Sequence, residues 1–187
     1  RMPVIQGQVT AIKFIDQVLG ADRITLIAEA GFTRVNGMSS KDEFSFFGPI
    51  GTDVIMPASQ YNTAVSTALG GIPVAICGFV APVESCSKNG TGDDFSWGYR
   101  LFAEFEYPGV FNGVKLVPGI FFSHDVEGTT PLPMMNFVEG TKALGLSLRA
   151  EYLNKLTISA NYTNFMGGDV NPLQDRDFAS LSVSYDF

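Results

Sequence analysis

The feature that most constrains this chain is a period of two. Along several stretches apolar and polar residues alternate strictly, the signal of strands whose two faces are chemically different. From 96 to 107, Trp97, Tyr99, Leu101, Ala103, Phe105 and Tyr107 fall on one face; Ser96, Gly98, Arg100, Phe102, Glu104 and Glu106 fall on the other, with Phe102 the single exception. Across 142–152, Leu144, Leu146, Leu148, Ala150 and Tyr152 oppose Gly145, Ser147, Arg149 and Glu151. Leu156, Ile158, Ala160 and Tyr162 oppose Thr157, Ser159, Asn161 and Thr163, and the closing stretch sets Ala179, Leu181, Val183, Tyr185 and Phe187 against Ser180, Ser182, Ser184 and Asp186.

Three less regular segments, 5–15, 23–35 and 114–125, read as strands as well, the last despite Pro118, which has no N–H for a ladder. In 23–35, Ile24, Leu26, Ala28, Ala30 and Phe32 oppose Thr25, Glu29 and Thr33, interrupted by Ile27 and Gly31. Connections alternate in length: short near 17–22, 108–113 and 153–155, long at 36–95, 127–137 and 166–176. Tight turns at one end and extended loops at the other are the habit of outer-membrane barrels.

A helical membrane span is the competing explanation for a mean hydropathy of +0.17. A spanning helix needs roughly 20 apolar residues. The long uncharged stretch 54–83 is interrupted by Gly70, Gly71, Pro73, Gly78 and Pro82, so it reads as loop with a short helix near 58–69. A net charge of −7 and a pI near 4.6, with no cluster of Lys and Arg, exclude a nucleic-acid partner and a polybasic membrane-surface role.

Alternation also occurs in soluble β-sandwiches, so the strand ends must discriminate. On the apolar face, aromatic residues sit at both ends, Trp97 and Tyr99 at one and Tyr107, Tyr152, Tyr185 and Phe187 at the other, with Leu and Ala between. Trp97 and Tyr107 are ten residues apart. That is roughly 33 Å of strand, or about 25 Å of height at a tilt near 40°, the thickness of a barrel's apolar band. Rings at headgroup level on both sides account for this sorting; a sandwich core does not.

The expectation is an all-β, antiparallel transmembrane β-barrel, one domain over 1–187, with short periplasmic turns, long extracellular loops and the C-terminus in the periplasm. Seven strands are an odd number where single-chain barrels have an even one. An ascending strand is therefore expected before Arg1, making the chain the C-terminal part of a longer barrel. Residues 36–95 exceed an ordinary loop and are expected to be extracellular or to fold inward as a cap.

The runs Asp94-Phe95-Ser96-Trp97-Gly98-Tyr99-Arg100, Phe122-Ser123-His124-Asp125-Val126-Glu127-Gly128, Lys142-Ala143-Leu144-Gly145-Leu146 and Glu151-Tyr152-Leu153-Asn154 resemble a widespread proteobacterial outer-membrane family labelled as a domain of unknown function. So does Tyr162-Thr163-Asn164-Phe165-Met166-Gly167-Gly168-Asp169 through Asp175-Arg176-Asp177-Phe178 to Phe187. The resemblance covers most of the chain and is weakest over 38–90. It implies a barrel of several hundred residues, encoded beside a periplasmic lipoprotein-like family and inner-membrane exporters of the resistance-nodulation-division type. It further implies passage or export of hydrophobic or lipid-like molecules, without a catalytic motif. Tyr185 and Phe187 resemble the C-terminal signal read by the outer-membrane assembly machinery, and lipids and lipopolysaccharide are the expected surroundings.

A barrel phospholipase would need Ser, His and an orienting group within hydrogen-bond reach. Ser123 and the only histidine, His124, are adjacent and should point to opposite faces of a regular strand, so no enzyme is expected. The inward charges Glu29, Arg100, Glu104, Glu106, Lys115, Arg149 and Glu151 are expected to line the lumen, as a selectivity lining or a compensated ion-pair network. Pairing is the cheaper arrangement, since buried charges need partners. Cys77 and Cys86 suit a local disulfide formed in an oxidising compartment. Neither they nor the carboxylates around Gly167-Gly168-Asp169 have metal-ligand spacing, and no cofactor is expected. The run from Lys41 to Phe47 is a weak ligand candidate and more simply a packing segment. The competing functions are a general diffusion porin and a structural or surface-binding barrel.

Overall fold

The computed structural model describes residues 2–38, 91–169, 171 and 173–186. Its regular structure is seven strands: β1 (Val4–Val18), β2 (Ala21–Val35), β3 (Phe95–Phe111), β4 (Val114–Glu127), β5 (Lys142–Tyr152), β6 (Leu156–Met166) and β7 (Phe178–Tyr185). They pair antiparallel in sequence order as one seven-stranded sheet. The seven strands expected from alternation are thus the seven observed. Among the described residues there is no helix, and β1 and β7 stand at the two edges of an open sheet.

Turn chemistry sets the short connections. Leu19 and Gly20 link β1 to β2 with φ of 56° and 76°, the pair of left-handed residues that a type I′ hairpin requires. Gly113, at φ 79°, turns β3 into β4, and Leu153 and Asn154, at 50° and 55°, turn β5 into β6. All three turns lie at one end of the sheet; the strand ends that border 36–94, 128–141 and 167–177 lie at the other.

The strands run past the ends that alternation suggested. β3 continues beyond Tyr107 through Pro108 and Gly109 to Phe111, with a register irregularity between Tyr107 and Phe111 where proline's missing N–H is tolerated. Pro118 is accommodated within β4. Pairing with β3 passes from Glu104–Gly119 to Tyr107–Leu116, whereas on the β5 side Pro118 keeps its register opposite Leu148.

Because antiparallel partners share a face, register converts alternation into rows. One face carries Lys13–Leu26–Ala103–Ile120–Leu146–Tyr162–Ala179 and, closer to the turns, Tyr152–Leu156–Tyr185. The other carries Thr25–Glu104–Gly119–Ser147–Asn161–Ser180. These are called the apolar and polar faces below. Burial is inverted relative to a water-soluble sheet. On the apolar face Leu101, Leu146 and Leu181 are 44%, 47% and 73% exposed, whereas the polar-face Thr33 and Ser96, with Thr130 of the 128–141 loop, are 2%, 1% and 0% exposed.

Candidate functional site

All seven charges singled out in the sequence share the polar face, in two groups. Toward the turns, Lys115 Nζ lies 2.9 Å from Glu106 Oε2, and Arg149 stands between Glu104, at 3.8 Å from its Nη2, and Glu151, at 2.8 Å from its Nε. The short Arg149 Nε contact is one of charge rather than an aligned hydrogen bond. Val117, 2% exposed, lies in register with Arg149 in the middle of this cluster. Arg23, in register with Glu106, extends the ladder to Asp16 at 3.1 Å. Two like-signed neighbours are thereby each offset by a cation, which lowers the cost of crowding carboxylates on one surface.

Toward the long connections, Glu29 and Arg100 are register partners on β2 and β3, without an ion pair to one another. Glu29 accepts a hydrogen bond from the Thr10 hydroxyl at 3.0 Å. Arg100 instead lies 3.9 Å from Asp125 Oδ1, with its guanidinium carbon 5.9 Å from the centre of the Phe137 ring.

Phe137 belongs to a feature that alternation did not reveal: the 128–141 segment folds back onto the polar face instead of projecting away from the sheet. Its ring approaches Gly31 and Gly98, which face each other across β2 and β3, and at Gly98 the absence of a side chain leaves the room it needs. The segment is held by its own polar groups. Thr130 N–H donates to Phe137 O (2.9 Å) and Phe137 N–H to Thr130 Oγ1 (3.0 Å). Asp125 Oδ2 accepts from Val138 N–H (3.0 Å) and the Thr141 hydroxyl (3.1 Å), and Thr129 N–H donates to Asp93 Oδ2 (2.8 Å). Asn136 Nδ2 donates to Thr33 Oγ1 at 3.0 Å, fixing the tip of the segment to β2. The buried threonines are thus hydrogen-bonded polar groups, the form in which burial of a hydroxyl is inexpensive. Two interior glycines in register were the available sequence signal.

Between this segment and β1 to β3 lies a recess of about 430 Å³ bounded by Gln6, Gln8, Glu29, Arg100, Asn136 and Phe137. One step further along the strands the polar face changes character, as Ile12, Ile27, Phe102 and Phe121 form a continuous apolar row. Ile27 and Phe102, the large apolar exceptions to alternation in β2 and β3, are each other's register partners.

His124 sits on the apolar face in register with Tyr99, their rings edge to face at 5.6 Å, while Ser123 pairs with Arg100 on the polar face. The two side chains cannot form a nucleophile and base pair. Among the described residues no group of His, Cys, Asp and Glu is arranged to hold a metal ion. Cys77, Cys86, Phe187 and the run from Lys41 to Phe47 lie outside the described residues. Tyr185 closes β7 and is 53% exposed on the apolar face.

A family model described as "Protein of unknown function (DUF1302)" matches residues 1–187. No curated protein and no solved structure matches the chain.

Proposed function

We propose, from the premise that this chain belongs to the DUF1302 family of proteins of unknown function, that its sheet is part of an outer-membrane β-barrel for passage or export of hydrophobic or lipid-like compounds. In this reading the apolar face meets lipid and lipopolysaccharide and the polar face lines the lumen. The turns face the periplasm, where a lipoprotein and a resistance-nodulation-division exporter deliver cargo. The barrel carries out no catalysis.

The observation that carries the reading is the inverted burial. A seven-stranded sheet that exposes Leu101, Leu146 and Leu181 on one face and buries Thr33 and Ser96 on the other has the solvent relationship that a barrel in lipid requires. The inward-folded 128–141 segment and the charge ladder lie on the same face, which supports assigning that face to an enclosed interior. Aromatic residues at both ends of the apolar rows support placement at two headgroup levels.

The test is depth-resolved labelling of the protein reconstituted in liposomes, with Cys77 and Cys86 replaced by Ser and a fluorophore attached to Leu101→Cys, Leu146→Cys or Ser147→Cys. Brominated lipid is expected to quench the first two and aqueous iodide the third. Iodide quenching of all three removes the membrane reading. Ion conductance in planar bilayers then separates a passage from a purely structural barrel.

A further inference from the structure

The recess beside the 128–141 segment and the apolar row next to it combine two chemistries that a pore lining alone does not require. Glu29 and Arg100 stand side by side in register, and each keeps capacity for another partner: among the described residues the Glu29 carboxylate accepts from the Thr10 hydroxyl, and Arg100 has its 3.9 Å contact with Asp125 and the Phe137 ring at 5.9 Å, neither of which saturates its five N–H donors. Asp125 is itself committed, its second oxygen holding Val138 N–H and the Thr141 hydroxyl. Gln6 and Asn136 both donate to Thr33 Oγ1, at 3.4 and 3.0 Å, which leaves their amide oxygens as acceptors on the wall of the recess. The recess thus holds a carboxylate and a guanidinium side by side, with amide acceptors further along its wall.

A fatty acid would satisfy Arg100 and leave Glu29 facing a like charge; a simple cation would do the opposite. A zwitterionic headgroup, with an ammonium and a phosphodiester a few bonds apart, answers both at once. One residue pair further along the strands, about 7 Å away, begins the row of Ile12, Ile27, Phe102 and Phe121, which crosses four strands over about 14 Å. Ile12 is 59% exposed, and Phe14 beyond it 61%, an apolar strip set between two charged zones. We propose that recess and strip form one binding site for a single-chain zwitterionic amphiphile of the lysophosphatidylethanolamine class, the head between Glu29 and Arg100 and the acyl chain along the strip. This rests on the polar face being a barrel interior and names the cargo class for it.

The test is saturable binding of radiolabelled lysophosphatidylethanolamine to the reconstituted full chain, with oleate and glycerophosphoethanolamine as competitors. Binding is expected to weaken about tenfold in Glu29→Gln and in Phe102→Ser, which remove a charge-assisted contact and part of the strip respectively, and to persist in Ser182→Ala on the same face. Each competitor alone is expected to be at least about tenfold poorer than the intact amphiphile. Undiminished binding in Glu29→Gln, equal competition by oleate, or absence of saturable binding overturns the site. If Leu101 and Leu146 report lipid while binding is absent, the amphiphile site falls alone; if they report water, the barrel reading falls first.

Discussion

Phe137 closes directly over Gly98: a β-carbon on Gly98 would stand 3.0 Å from Phe137 Cδ1 and 2.7 Å from the carbonyl oxygen of His124. The second contact is with backbone, so a side chain at 98 must move either the β3–β4 ladder or the folded-back segment. Gly31, the register partner of Gly98, is different, because a β-carbon there meets Phe137 Cζ only at 3.7 Å, an ordinary contact. Gly98→Ala is therefore expected to destabilise the protein by about 1–3 kcal/mol, and Gly31→Ala to change stability by under about 1 kcal/mol. Urea unfolding of the two variants checks the contrast; equal losses would show that Phe137 does not depend on the glycine pair.

Asp125 clamps the same segment from the other side. Removing its carboxylate in Asp125→Ala strips acceptors from Val138 N–H and the Thr141 hydroxyl and removes the carboxylate paired with Arg100. Charge-assisted hydrogen bonds contribute about 1.5–3 kcal/mol each, enough to release the segment locally while the sheet stays paired. Limited proteolysis is expected to cut within 128–141 in Asp125→Ala and not in the parent. An unchanged digestion pattern would mean that the Thr129, Thr130 and Asn136 contacts suffice without the clamp.

The strands, and which residues share a face, were legible because alternation and the alternating lengths of the connections act locally, and tertiary context did not override them. What depends on register was not legible. Ile27 and Phe102 each look like a local break in pattern, and only their pairing across β2 and β3 turns two exceptions into an apolar strip. Likewise 128–141 has the composition of an outward loop. Its inward fold follows from Gly31 meeting Gly98 and from hydrogen bonds spanning as far as Asn136 to Thr33, relationships that no window along the chain contains. Asp125 escaped notice as a binding group for the same reason, since its partners come from the far end of the segment that follows it.

Outside the strands, Asp177 ties the β6 end to the start of β7. Its Oδ1 accepts Phe165 N–H at 2.9 Å, and its Oδ2 accepts Asn164 Nδ2 and the Tyr162 hydroxyl. The Phe165 amide first, then Asn164, hold the carboxyl below its ordinary value of 3.8. A depressed folded-state pKa means stability that is fully present above that ordinary value and is lost as pH falls through the lowered one. Hydrogen-exchange protection of the Phe165 amide is expected to hold at neutral pH and to drop in strong acid, and the acid-dependent drop is expected to vanish in Asp177→Asn. Protection that falls equally in both proteins would place the titrating group elsewhere.

Arg149 offers the sharpest test of whether the charge ladder faces a conducting lumen. It stands between Glu104 and Glu151, so Arg149→Ala leaves two carboxylates of the same face without their shared cation. All three side chains are partly exposed, Arg149 at 40%, so water screens the loss and the expected stability change is within about 1 kcal/mol. Selectivity should respond more strongly than stability, because a lumen with one cation fewer attracts cations and repels anions. In planar bilayers under a KCl gradient, the reversal potential of Arg149→Ala is expected to move toward the potassium potential, and Arg149→Lys to stay near the parent. The shift should shrink as salt is raised toward 1 M, where the screening length falls to about 3 Å. No shift at low salt would mean that ions do not pass this ladder, and a shift toward chloride would mean that Arg149 does not act on them as a net cation.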